Sequence, residues 1–297
     1  MKRNKSDAPS ALADVTRKRG QWSDVLSRLF RNKIGLLGVI IVLLLVVLTV
    51  FAPLFTRYPY DAQSFPDRFK LPDASHIMGT DNFGRDLWTR LLYGGRISLL
   101  IAILASVISN FIGVFIGSVS GYFGSKTDTV IMRALDILMA IPPLLLAIAI
   151  SSSLGSGPVN TALAISLSGI PYSARIIRST VMSIKDSEFV EAARATGSRH
   201  LRVIFRHILP NTIAPLIVGA TLGIGANIMA ISGLSFIGLG VHPPIPEWGS
   251  ILADGRAYIR DFWPIIVFPS IFIMLTILGF NLFGDALRDA LDPRLKD

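Results

Sequence analysis

Residues 186–210 read DSEFVEAARATGSRHLRVIFRHILP, and this stretch decides how the remainder of the chain is read. It is a polar, basic island between long apolar runs, so it sits outside a bilayer that its neighbours cross. Glu188 to Thr196 is rich in helix formers and carries Glu188 and Glu191 in its first turn, where acids suit the positive end of a helix. Gly197 offers a left-handed or tight turn, and a second helix runs to Pro210, where the next apolar run begins. A helix, a turn and a helix leading back into a membrane make a protruding element suited to a groove in another protein.

The composition agrees. Of 297 residues, 51% are hydrophobic and only 16% charged, with mean hydropathy +0.56, which marks an all-α polytopic membrane protein. The net charge of +9 could mean nucleic-acid binding, but the basic residues lie between and before apolar runs, as topogenic charges do. No nucleic-acid partner is therefore expected. There is no cysteine, so disulfides and thiolate metal sites are excluded.

Six spans are predicted, at Ile34–Phe55, Ile97–Gly121, Val130–Ser153, Val159–Ile177, Ile213–Leu239 and Trp263–Phe283. The first is 22 residues without a charge, enough to cross about 30 Å of hydrocarbon. Before it, residues 1–20 read as a cytoplasmic tail with too few large apolar side chains to fold. Trp22, Val25, Leu26, Leu29 and Phe30 then recur at helical spacing among Arg28, Arg31 and Lys33, an amphipathic helix suited to the lipid interface. With the N-terminus inside, 21 of the 29 Lys and Arg flank cytoplasmic ends and 8 flank external ones. That excess predicts both termini in the cytoplasm, and places the 186–210 loop there too.

Within the spans, Gly113, Gly117 and Gly121 repeat every four residues, as do Gly219 and Gly223, giving small-residue faces for close helix packing. Pro142 and Pro143 should kink or break the third span. Arg133 and Asp136, three apart on one face, can pair. Uncharged polar residues suited to a wet translocation path are Asn110, Asn227, Ser232, Ser235 and Asn281. The four histidines lack the i, i+4 spacing of a helical metal site, so no metal is expected. Gly121–Thr127 lacks the Gly before Lys that a phosphate-binding loop needs. No catalytic residues are assigned, and energy must come from a partner or an ion gradient.

Glu191, Ala192, Ala193, Arg194, Gly197, Leu209 and Pro210 resemble the "EAA" coupling loop of permease subunits of bacterial ABC importers, with His207 where that family usually has an aliphatic residue. His76–Asp86 (HIMGTDNFGRD) with Arg90, Leu91, Tyr93, Gly94 and Arg96, and Gly284–Arg294 (GDALRDALDPR), are similar to the C-type permease of the dipeptide/oligopeptide/nickel branch. The resemblance implies a type I importer transmembrane domain with an inner-membrane location. It implies a homologous second permease, two ATPase subunits that hold the ATP and Mg, and an extracytoplasmic binding protein. The organisation then expected is a tail and interfacial helix at 1–33, a first span and external segment at 34–96, and a five-span core at 97–297. In that scheme Asp81, Arg85, Asp86 and Trp248 are candidate contacts for the binding protein. The substrate class implied is di- and oligopeptides, with glutathione-like molecules and nickel chelates as alternatives. An ion-coupled secondary transporter would instead require midplane charges and inverted repeats, neither of which is evident.

Overall fold

The computed structural model describes residues 21–291; the expected tails at 1–20 and 292–297 lie outside the described residues. Among the described residues the fold is helical, with one isolated bridge between Thr80 and Asp86. Helix α1 (Gln21–Arg31) lays Leu29 onto Ala286 and Ala290 and leaves Leu26 and Phe30 exposed. Asn32 separates it from α2 (Lys33–Val50) and caps the latter, its side chain accepting from Ile34 N and Gly35 N at 3.1 Å.

The expected first span breaks at Phe51, before the short α3 (Ala52–Phe55). Pro53 has no N–H to return to the Thr49 carbonyl. Arg96 replaces that donor: its Nε donates to Thr49 O at 2.7 Å and its Nη2 to Val50 O at 2.6 Å, a cation placed at a helix C-terminus.

Helix α4 (Leu87–Phe123) begins at an Asp86 cap, whose carboxylate accepts from Thr89 N at 2.8 Å, ten residues before the predicted start at Ile97. At about 1.5 Å per residue its 37 residues exceed the hydrocarbon thickness, so part of the helix lies outside it. Helices α5 (Ser125–Met139) and α6 (Pro143–Leu154) replace the single predicted span Val130–Ser153 and meet at 83°. The cause is the Pro142–Pro143 pair, which removes two N–H donors and disfavours helical backbone just before it.

Helix α7 (Pro158–Ile184) covers the expected Val159–Ile177. It is followed by α8 (Glu188–Ala195) and α9 (His200–Val203), then a π turn over Ile204–Ile208, then α10 (Leu209–Phe236). The second helix of the polar island is therefore no separate piece: residues 200–236 run as one 37-residue helix. In the π turn Leu209 N bonds Ile204 O, because Pro210 cannot donate and its ring crowds the preceding turn. A short helix α11 (Trp248–Gly255) precedes α12 (Pro264–Leu291), which absorbs most of the predicted C-terminal signature.

Among the described residues four helices are long and apolar enough to cross a membrane, and α5–α6 makes a fifth if it is one broken span. Helix α7, which carries Arg175 and Arg178, is not among them. The most extensive packing joins α4 to α7. Gly113, Gly117 and Gly121 receive Ser173, Ala174, Ile177, Arg178 and Val181, so that glycine stripe packs within the chain. Gly219 and Gly223 have no comparable close neighbour. Gly35, Gly38 and Gly279 make a second close seam between α2 and α12.

Candidate functional site

The polar island folds into α8, a turn and the start of the 200–236 helix. Val190 and Ala193 face inward, and Val190 joins Tyr122, Ile177, Val181, Ile204 and Ile208 in one apolar cluster, with Leu209 packed at its edge. Glu191, Ala192 and Arg194 face outward, and Pro210 is exposed. Burial of one face fixes the helix and leaves the acid-bearing face free for a partner.

The turn after α8 is closed by two backbone bonds, Gly197 N to Arg194 O at 2.9 Å and Ser198 N to Ala193 O at 3.1 Å. This is a Schellman motif with Gly197 at φ +80, the left-handed conformation expected of it. A Cβ at Gly197 would meet nothing within 4 Å, so substitution acts through the backbone alone. Gly197→Val is expected to cost about 1–2 kcal/mol, and Gly197→Asn less, because Asn visits this region readily. Thermal unfolding of the two purified variants measures the difference, and equal stability would contradict the strain account.

Two residues without an assigned role brace the loop. Tyr122, at the end of α4, places its hydroxyl 2.9 Å from His200 Nδ1, and the Arg194 guanidinium lies 5.2 Å from the centre of the Tyr122 ring. Arg194 Nη2 also donates to Lys185 O at 3.2 Å. Arg194 thus ties α8 to α4 as well as facing outward. The aromatic pair Tyr122–Phe123 ahead of Gly124 was the available sequence signal.

The five polar residues expected along a path do not form one row. Asn110 Nδ2 donates to Ser106 O of its own helix at 2.7 Å, whereas Asn227 Nδ2 donates across the α4–α10 seam to Ala102 O at 3.1 Å. Ser106 Oγ, between them, donates to Ala220 O at 3.0 Å. Ser232 bonds its own helix at Ile228 O, and Asn281 is exposed on α12 beside Gly225. Ser235 is buried: its hydroxyl accepts from Val241 N at 3.4 Å and closes the end of α10, which removes it from any path surface.

The candidate binding-protein contacts need correction. Asp81 is 1% exposed, Arg85 and Asp86 5%, and Trp248 0%. Asp81 accepts from Phe83 N at 2.8 Å, Arg85 N at 3.0 Å and Arg85 Nε at 2.6 Å. Arg85 and the fully buried Arg90 lie 3.5 and 3.9 Å from Asp254 on α11, whose carboxyl is held above the usual carboxylate range by burial, with Arg90 and Arg85 opposing. Asp86 borders a cleft of about 390 Å³, but its oxygens are engaged by Thr89 and by His76 Nδ1 at 2.9 Å. Trp248 donates from Nε1 to Leu91 O at 2.8 Å, with its ring over Gly95. Beside it the buried Glu247 caps α11, accepting from Gly249 N and Ser250 N at 2.9 Å and from the Ser98 hydroxyl at 2.8 Å.

Asp81, Asp86 and Glu247 are enclosed with hydrogen-bond partners, whereas Arg85 Nη2 and Arg90 Nε and Nη1 are buried without one among the described residues and are offset only by the nearby Asp81 and Asp254 carboxylates. They join the external segment to α11 and cannot themselves be the docking surface. Charge in a segment between spans suggests exposure; here Asp81 and Asp86 are bonded within the segment, and the partner from α11, Asp254, is distant in sequence. Among the exposed groups of this segment are the large apolar side chains Phe65, Leu71 and Ile77, beside Phe83 and polar residues such as Asp61, Gln63 and Asp73.

Residues 113–297 match the family described as "Binding-protein-dependent transport system inner membrane component", and residues 20–72 match "N-terminal TM domain of oligopeptide transport permease C". The chain is 43% identical over 275 residues to the dipeptide transport system permease protein DppC of Alkalihalophilus pseudofirmus, covering 93% of this chain and 90% of that one. It is 38% identical over 281 residues to the glutathione transport system permease protein GsiD of Pectobacterium atrosepticum, covering 94% and 93%. Among solved structures it resembles an inward-facing MetNI methionine ABC transporter chain, with TM-score 0.56, 16% identity, and 68% of this chain and 96% of that one covered. The last likeness bears on the fold, that of an ABC importer transmembrane domain. On these matches the chain belongs to the inner-membrane components of binding-protein-dependent transport systems.

Proposed function

We propose that this chain is one of two homologous permeases in an ATP-driven importer of di- and oligopeptides. The observation that carries the reading is the presentation of α8: its apolar face is buried on the chain's own helices while Glu191, Ala192 and Arg194 face outward. Such a surface suits a groove on a cytoplasmic ATPase, which would bind the ATP and Mg that this non-enzymatic chain does not handle. The relatives named for dipeptide and oligopeptide transport support the substrate class.

The full topology we propose is six spans, with α5–α6 as a broken third and α7 as the fourth, both termini and α8 on the cytoplasmic side, in a bacterial inner membrane. The arginines of α7 lower its apolarity without ruling out a crossing, because Asp128 and Asp136 pair with them. Residues 1–33, 34–96 and 97–297 act as tail and interfacial helix, first span with external segment, and core. Asn110, Asn227, Ser232 and Asn281 remain candidates for the path, and the rim at Phe65, Leu71 and Ile77 becomes the proposed binding-protein contact.

A second reading, glutathione as substrate, is favoured by the glutathione permease relative. The test is uptake into proteoliposomes containing the whole complex and its binding protein, with ATP inside. Accumulation of a labelled dipeptide that glutathione does not displace is the expected result; uptake of glutathione alone would move the assignment to the second reading. Uptake driven by an ion gradient without ATP would reject both.

A further inference from the structure

The attachment of α5 is the part of the molecule that apolar packing does not explain. Its single buried residue is Leu135. It lies between two joints, Gly124 and Ser125 with φ of +62 and +47 before it and the 83° break after it. Two ion pairs tie it to α7. Arg178 makes two bonds to Asp128, Nε to Oδ1 at 2.5 Å and Nη2 to Oδ2 at 2.6 Å, and the Ser120 hydroxyl donates to the same carboxylate. Arg175 pairs with Asp136 two turns further along α5, in place of the Arg133 partner expected from spacing.

The two pairs are unequal. Arg178–Asp128 is forked and its side chains are 29% and 17% exposed, whereas Arg175–Asp136 has a single contact and side chains 46% and 42% exposed. The first is therefore the stronger link, since a forked, partly desolvated pair is less screened than an exposed one. Both arginines stand in the last three turns of α7, which leads through Lys185 and Ser187 into α8; the Ser187 hydroxyl bonds back to Ile184 O at 2.6 Å. A displacement of α8 is thus delivered to the turns that hold α5.

We propose that Arg178 and Arg175, through Asp128 and Asp136, are positioning residues that make α5 a strut carrying the movement of α8 to the α5–α6 break. This rests on the importer reading above. The strut couples two elements without binding ATP or substrate, so its loss separates hydrolysis from transport.

The experiment uses the complete complex in proteoliposomes and records ATP hydrolysis stimulated by the binding protein beside dipeptide uptake. Asp128→Asn is expected to keep stimulated hydrolysis within about twofold while lowering uptake about tenfold, a loss within the usual span of coupling effects. The exchange Asp128→Arg with Arg178→Asp is expected to restore most of the uptake. Asp136→Asn, at a half-exposed position where folding is not at stake, is expected to show a smaller loss in the same direction. Unchanged uptake in Asp128→Asn overturns the proposal, as does a parallel fall of hydrolysis and uptake that the exchange leaves uncorrected. If Asp128→Asn does not assemble, Asp136→Asn decides, and wild-type uptake there overturns it. A wild-type complex with neither hydrolysis nor uptake removes the importer reading itself, and this inference with it.

Discussion

Gly117→Ala lowers the thermal stability of the purified chain, although alanine is ordinarily the better helix former. A Cβ at position 117 would lie 2.4 Å from the Ala174 carbonyl oxygen, 2.9 Å from Ile177 Cβ and 3.0 Å from Arg178 N. Two of these are backbone atoms of α7 and cannot rotate away, so the helices must separate along their most extensive contact. Overpacking of this kind costs about 1–3 kcal/mol, and the gain in helix propensity of about 1 kcal/mol offsets only part of it. Gly117→Leu is expected to prevent assembly. Gly219→Ala is the matched comparison, because a Cβ there would meet only Ile176 Cδ1 at 3.9 Å; it should be neutral or stabilising. Equal melting temperatures for the Gly117 and Gly219 alanine variants would mean that the α4–α7 seam is not as close as described.

Trp248→Ala is expected to be the most damaging single truncation outside that seam. The side chain is fully buried, its Nε1 donates to Leu91 O, and its ring lies 5.8 Å from that of Phe272. Truncation of a buried aromatic costs about 3–5 kcal/mol, and the freed Leu91 carbonyl belongs to the helix turn that carries the enclosed Arg90. Trp263 is half exposed and packs on Phe268, so Trp263→Ala should cost much less. Thermal unfolding separates the two. A Trp263 variant as unstable as the Trp248 variant would favour an interfacial role for both.

That pair illustrates what the sequence can and cannot convey. Both tryptophans flank apolar runs, and interface anchoring describes either equally well from sequence; only the fold shows that Trp248 is packed over Gly95. Apolar runs located the helices because hydropathy is local. The Gly197 turn was legible for the same reason, since a left-handed position after a helix selects glycine. The Gly113–Gly117–Gly121 stripe announced a close contact, but nothing in it names Ala174 as the neighbour. Pro142–Pro143 announced a break without its angle. Spacing pairs Asp136 with Arg133, three residues away, whereas its partner in the fold is Arg175, 39 residues distant. For Asp81 and Asp86 spacing alone does not distinguish an exposed loop from this one, since their partners Arg85, Thr89 and His76 are local and only Asp254 comes from α11.

The central claim is that α8 is where an ATPase engages this chain. Glu191 lies on its exposed face, so Glu191→Lys should leave folding within about 0.5 kcal/mol, as exposed substitutions do. The most direct measurement is purification of the chain from its native membrane in mild detergent, wild type beside Glu191→Lys, with identification of accompanying subunits and assay of ATP hydrolysis. Co-purification of a second permease and ATP-hydrolysing subunits with the wild type, and loss of the latter from a correctly inserted variant, is the predicted result. Full retention of ATPase subunits and stimulated hydrolysis by the variant would contradict it.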